Sequence, residues 1–194
     1  MANTANWKLL PTISNVRGHK SAQIVQEKEG ICSPQVVKIH LGATRAPFGA
    51  GNFNSEEKIR VNLDLECTNT YTELLESIDS WVIDTLAANP EMYFKKALTR
   101  DEIINSYKKS CTAHSKNGID YSPTMRCKTT LEGPSKVRCW TPERFLRAVP
   151  EDWRKCMITP MVTFRSVWFM NGQCGSLFEI HDCVVEEASL ECPF

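Results

Sequence analysis

The dipeptide Asn171-Gly172 limits the possible folds of this chain more than any other feature. Both residues tolerate positive φ, which a two-residue hairpin turn requires, and apolar residues recur on both sides. It predicts a hairpin joining a strand over 161–169 to one over 174–185, with Gly175 marking a bulge or bend.

The clearest single strand runs from Lys58 to Cys67, where Ile59, Val61, Leu63 and Leu65 alternate with Lys58, Arg60, Asn62, Asp64 and Glu66. Period two buries one face and wets the other, as in an antiparallel sheet. A further strand spans Val36 to Leu41 and ends at Gly42. Alternation returns over 124–130 and 136–140, which read as a hairpin with an apolar face and a basic face carrying Arg126, Lys128, Lys136 and Arg138.

Helices are inserted between these strand pairs. Thr70 with Glu73 reads as a capping box, followed by Leu74, Leu75, Ile78, Trp81, Val82 and Leu86 at helical spacing and stopped by Asn89-Pro90. Thr99 with Glu102 opens a second helix carrying Ile103, Ile104 and Tyr107, with Lys108 and Lys109 in its last turn, and Asn117-Gly118 closes the insert. Thr141-Pro142-Glu143 starts a short helix holding Phe145 and Leu146, ended by Pro150. Residues 1–30 are polar without a sustained period and read as an arm. The fold class is α+β: a small, closed or nearly closed antiparallel β-barrel over 31–194, with a two-helix insert at about 70–111.

Chemistry is mostly absent. No phosphate-cradling glycine motif, His-Glu-x-x-His or EF-hand loop occurs, and His19, His40, His114 and His181 lie far apart. His181 and Asp182 are adjacent on a strand and point to opposite faces, a poor geometry for a base and its orienter. The nine cysteines are irregularly spaced with no Cys-x-x-Cys, so free thiols are expected rather than a zinc ribbon. The reading is therefore non-enzymatic, with no metal and no cofactor. No apolar run approaches the roughly 20 residues of a membrane span, and no secretory leader is legible, so a soluble intracellular protein is expected.

The charge pattern and the aromatics carry what remains. Net charge is zero, which argues against a surface coated in positive charge for duplex DNA. Between Tyr121 and Phe169, however, Arg126, Lys128, Lys136, Arg138, Arg144, Arg147, Arg154, Lys155 and Arg165 outnumber the acids, while beyond Phe169 every formal charge is acidic. Basic strand residues can track a phosphate backbone, and Tyr121, Trp140, Phe164, Trp168 and Phe169 can stack on bases, at about 1–3 kcal/mol per base. Neighbours on a strand face opposite ways, so one of Trp168 and Phe169 serves the core. In the loop from Thr44 to Phe53, with Pro47, Gly49 and Gly51, the group Arg45, Phe48 and Phe53 reads either as a ligand surface or as a plug for the barrel end.

Three stretches carry a family resemblance: Arg45-Ala46-Pro47-Phe48-Gly49; Tyr121-Ser122-Pro123-Thr124-Met125-Arg126-Cys127-Lys128; and Val167-Trp168-Phe169 through Gly175-Ser176-Leu177. In this order, around a helical insert and from Gln35 to Val185, the chain resembles the single-stranded-DNA-binding OB-fold-like proteins of nucleocytoplasmic large DNA viruses. The resemblance implies an OB-like barrel binding single-stranded DNA in viral DNA replication or repair, in the host cytoplasm (the viral factory) or nucleus, without catalytic residues. It implies roles for Arg45, Phe48, Tyr121, Arg126, Lys128, Trp168 and Phe169. The residue pattern adds Lys136, Arg138, Trp140 and Arg165 to this nucleic-acid-binding set. RNA, a protein partner or a second copy of the chain are left open as partners. The rival reading is a structural or protein-docking module of a virion or assembly, which the neutral charge and acidic end favour.

Overall fold

The computed structural model describes residues 4–16, 18–27, 35–51 and 59–187. In chain order its strands and helices are β1 (Trp7–Ser14), β2 (Lys20–Gln26), β3 (Gln35–His40), β4 (Thr44–Arg45), β5 (Ala50–Gly51), β6 (Arg60–Glu66), α1 (Asn69–Ala88), α2 (Pro90–Phe94), α3 (Arg100–Ser106), β7 (Tyr107–Lys108), β8 (Cys111–Lys116), β9 (Ile119–Thr130), β10 (Arg138–Trp140), β11 (Leu146–Arg147), β12 (Cys156–Met170) and β13 (Gln173–Glu187). The α+β class holds, but the small closed barrel does not. The thirteen strands make an open mixed sheet whose main path is β1-β2-β3-β12-β13-β9-β6-β5, with parallel pairings of β13 to β7 and to β10. Alternation reveals that a segment is extended and half-buried, not which strand is its neighbour, so the expected pairing of 124–130 with 136–140 fails while the hairpin through Asn171-Gly172 forms.

The chain divides into two compact units. The first comprises Met1–Lys38, Thr68–Thr112 and Thr163–Phe178. The expected N-terminal arm is in fact a hairpin here: β1 pairs antiparallel with β2, and Leu9, Ala22 and Ile24 are buried. Its register shifts between Leu9 and Thr12, around Pro11, which has no N–H to give to a ladder. That bulge breaks the period that would have revealed the strand. Asn171 (φ 51°) and Gly172 (φ 75°) form the turn joining β12 to β13, as their residue types require.

Helix α1 buries Leu75, Ile78, Val82 and Leu86 along one stripe. Its N-cap is Thr68 rather than Thr70: the Thr68 hydroxyl accepts from the Tyr71 N–H at 3.4 Å, so Glu73 takes no part in a box. The Thr99–Glu102 capping box of α3 is formed in both directions. That helix ends at Ser106, which places Lys108 on β7 and Lys109 beyond it rather than in a last helical turn. The chain leaves the helix where Tyr107 reaches a buried carboxylate. The Tyr107 hydroxyl donates to Asp79 Oδ1 at 2.7 Å, and the Ser110 N–H donates to Oδ2 at 2.9 Å. The Ser110 hydroxyl also donates to Asp79. The one Tyr107 proton is committed to Asp79, so the contact of Ser176 Oγ with Tyr107 Oη at 2.7 Å has the serine as donor. Burial pushes the Asp79 carboxyl above its ordinary range, against the hydrogen bonds from Ser110 and Tyr107.

The second unit comprises Ile39–Cys67, Ala113–Val162 and Glu179–Phe194. Strands β6 and β9 pair antiparallel from Arg60↔Thr130 to Glu66↔Thr124. Val61, Leu63 and Leu65 are buried with Thr129, Cys127 and Met125, leaving Asn62 and Asp64 opposite Lys128 and Arg126 on the polar face. The segments 124–130 and 136–140 are not a hairpin. β10 instead pairs parallel with β13 and antiparallel with β11, while the Val137 N–H donates to the Thr130 carbonyl at 2.8 Å. Nor is there a helix at Phe145. Thr141 and Phe145 close a turn (Thr141 N–H to Phe145 O, 2.8 Å) with Arg144 at φ 69°. Phe145 and Leu146 are exposed, so no apolar face was available to reward a helix. Asn117 (φ 54°) and Gly118 (φ 74°) form the turn from β8 to β9 rather than closing the insert. Among the described cysteines, Cys127, Cys139, Cys156, Cys174 and Cys183 are free thiols and, like Cys67, are buried.

Candidate nucleic-acid interface

The predicted binding residues do not share one setting. Arg165, Trp168 and Phe169 belong to the first unit, where each large ring has an intramolecular partner. Phe169 stacks on Tyr93 (6.3 Å, 7°) and meets Phe94 edge-on (5.4 Å, 83°). Trp168 lies against Gly175, where an added Cβ would come within 2.8 Å of the indole. The glycine is thus required by close packing. Both rings are half-buried, so alternation did not leave one of them open. Phe164 is fully buried against Phe178 (5.0 Å) and belongs to the core. Arg165 is exposed.

In the second unit, the basic strand faces are neutralised locally. Arg126 is held bidentate by Asp64 at 2.7 and 2.9 Å. This fork raises the guanidinium pKa further. Arg60 is paired with Glu179, and Arg138 with Asp182 at 2.6 Å. Trp140 Nε1 donates to the same Asp182 at 3.0 Å, and the Arg138 guanidinium sits 5.9 Å from the Trp140 ring centre. Lys128 is half-buried, and desolvation, followed by the nearby Arg60, lowers its pKa. Lys136 is exposed on the loop before β10, and Tyr121 is exposed on β9.

Phe48 stands apart from these. The Gly49 N–H donates to the Ala46 carbonyl at 2.9 Å, closing a turn with Pro47 at its second position, where the fixed proline φ is favoured. Phe48 occupies the third position and is 58% exposed. It is therefore a surface rather than a plug; Phe53 lies outside the described residues. Its ring meets His114 edge-on at 5.6 Å, and His114 Nε2 is hydrogen-bonded to Thr124 Oγ1 at 2.8 Å. Arg45, three residues earlier on β4, is exposed and donates to Met157 Sδ at 3.4 Å.

Beside Phe48 opens a cleft of about 320 Å³. Its apolar walls include Val61, Leu131 and Trp153, and its polar ones Glu151, Asp152 and Arg154. Arg154 forks onto Asp152 at 2.8 and 2.9 Å, which holds that carboxyl at about 2. The stem of Arg154 runs against Gly49, whose added Cβ would stand 3.2 Å from Arg154 Cγ. Sequence reasoning missed Trp153 here, counted Asp152 and Arg154 only as charge, and read His114 as an isolated histidine. The available signal was a lone tryptophan set among charged residues directly after Pro150. Among the described residues no cluster of His, Cys, Asp or Glu could hold a metal ion, and no helix is long and apolar enough to cross a membrane.

No protein-family model matches the sequence, and no curated protein matches it. Among solved structures, the single-stranded DNA-binding protein from bacteriophage Enc34 in complex with ssDNA is similar at a TM-score of 0.47 and 10% identity, over 93% of this chain and 96% of that one.

Proposed function

We propose that this chain is a non-enzymatic binding protein that takes single-stranded DNA with little sequence preference, using the Phe48 turn of its second unit. The motif resemblance extends this reading to viral DNA replication or repair. The observation that carries it is the exposure of Phe48, an aromatic ring held in a hydrogen-bonded turn with Arg45 on the adjoining strand. An exposed ring on a fixed backbone is what sequence-tolerant base stacking needs. The cations modify the expectation. Arg126 and Arg138 already hold carboxylates, so phosphates must compete for them and little counterion is released. Binding is therefore moderate, with a shallow salt slope. Fluorescence polarisation with labelled oligo-dT across a salt series tests this: affinity should fall as salt rises, and no binding at low salt overturns it.

A second reading has its own support. Phe145 and Leu146 stand adjacent and exposed by 70% and 66% at the β10–β11 turn, an apolar pair suited to a protein partner. A partner retained after nuclease treatment, with no oligo-dT binding, would favour this docking module.

A further inference from the structure

We infer that the cleft beside Phe48 is a pocket for one nucleobase of a bound single strand, with the Trp153 indole N–H as the donor which that base satisfies. The inference rests on the single-strand reading above and deepens it.

Trp153 is 2% exposed and borders the cleft. Its Nε1 is the one fully buried side-chain nitrogen or oxygen without a hydrogen-bond partner among the described residues. Buried donors are almost always satisfied, so an orphan beside an open cleft calls for an explanation. A ligand atom with a lone pair supplies one. Charge narrows the choice. Glu151 and Asp152 line the same cleft against the single cation Arg154, so its walls carry one more negative charge than positive. That balance disfavours a phosphate and suits a neutral ring. Every nucleobase offers a flat face for Phe48 and a ring nitrogen or carbonyl oxygen to accept from an N–H. The indole nitrogen is sealed from water, so a base reaches it through a local rearrangement of the cleft wall; Arg154, which lines the same cleft, is exposed and bonds a carboxylate two residues away.

The test compares oligo-dT with an abasic oligomer of the same length, which keeps the phosphates and removes the bases. Three proteins are titrated by fluorescence polarisation: wild type, Trp153→Phe and Phe48→Ala. The wild type should bind oligo-dT at least tenfold more tightly than the abasic strand. Trp153→Phe keeps the ring and loses the donor, so it should weaken oligo-dT binding about tenfold and leave abasic binding unchanged. Trp153→Phe also leaves a void where the larger indole sat, so its melting temperature should fall modestly, and the affinities are compared at a temperature where all three proteins are folded. Phe48→Ala, at an exposed position, should also erase the preference for bases. Unchanged oligo-dT affinity in Trp153→Phe, or a base preference retained in Phe48→Ala, overturns the pocket. Equal wild-type binding of both oligomers sinks the pocket alone, whereas binding of neither sinks the single-strand reading itself.

Discussion

The β12–β13 hairpin and the Phe48 turn both present aromatic rings next to a tight turn, yet they use them in opposite ways. Phe169 stacks on Tyr93 and meets Phe94 edge-on, and Trp168 packs against Gly175. Among the described residues, the Phe48 ring meets the His114 ring edge-on, and more than half of its surface meets solvent. An aromatic near a turn is therefore not a binding ring by virtue of position. The deciding quantity is whether the fold supplies that ring with a partner.

Substitution at these rings would break that contrast most sharply. Phe169→Ala should destabilise the protein by about 2–3 kcal/mol, whereas Phe48→Ala should stay within about 0.5 kcal/mol of wild type in urea denaturation. Equal losses would erase the distinction. Next in size is Gly175→Ala, which drives a methyl into the Trp168 indole and should cost about 1–3 kcal/mol, read as a lower urea midpoint at unchanged slope.

A smaller effect comes from Asp79 in the first unit. Its folded-state pKa is raised, so folding favours the protonated form. That contribution is fully present below the unfolded value of about 3.9 and is lost as pH rises through the raised folded value. Stability of wild type relative to Asp79→Asn should thus decline as pH climbs from about 4, and a flat difference would contradict the burial. The smallest change is expected at Arg126. Its guanidinium is already occupied by Asp64, so Arg126→Gln should alter oligo-dT affinity by less than about threefold, below one full phosphate contact.

Local signals in the sequence were legible where one residue type answers one backbone need. Asn171-Gly172 and the Thr99–Glu102 box both appear as read, and the alternation of β6 matches its buried face. What stayed hidden was pairing. The alternation in β9 is real, but its register partner is β6, whose Asp64 and Asn62 then face the cations that seemed to form a basic stripe. The bulge at Pro11 concealed a hairpin, and the buried Asp79 sat inside an otherwise apolar helical stripe. The same limit applies to the site. Phe48 could be singled out as a ring in a glycine-bearing loop, but its relation to Trp153 and Arg154, a hundred residues later, exists only in the folded unit.

The most direct test of the central claim is the affinity of Phe48→Ala for oligo-dT at low salt, measured beside its melting temperature. The account predicts a loss of about 1–3 kcal/mol in binding, roughly 5- to 150-fold, with no change in melting. Wild-type affinity in this variant would contradict it.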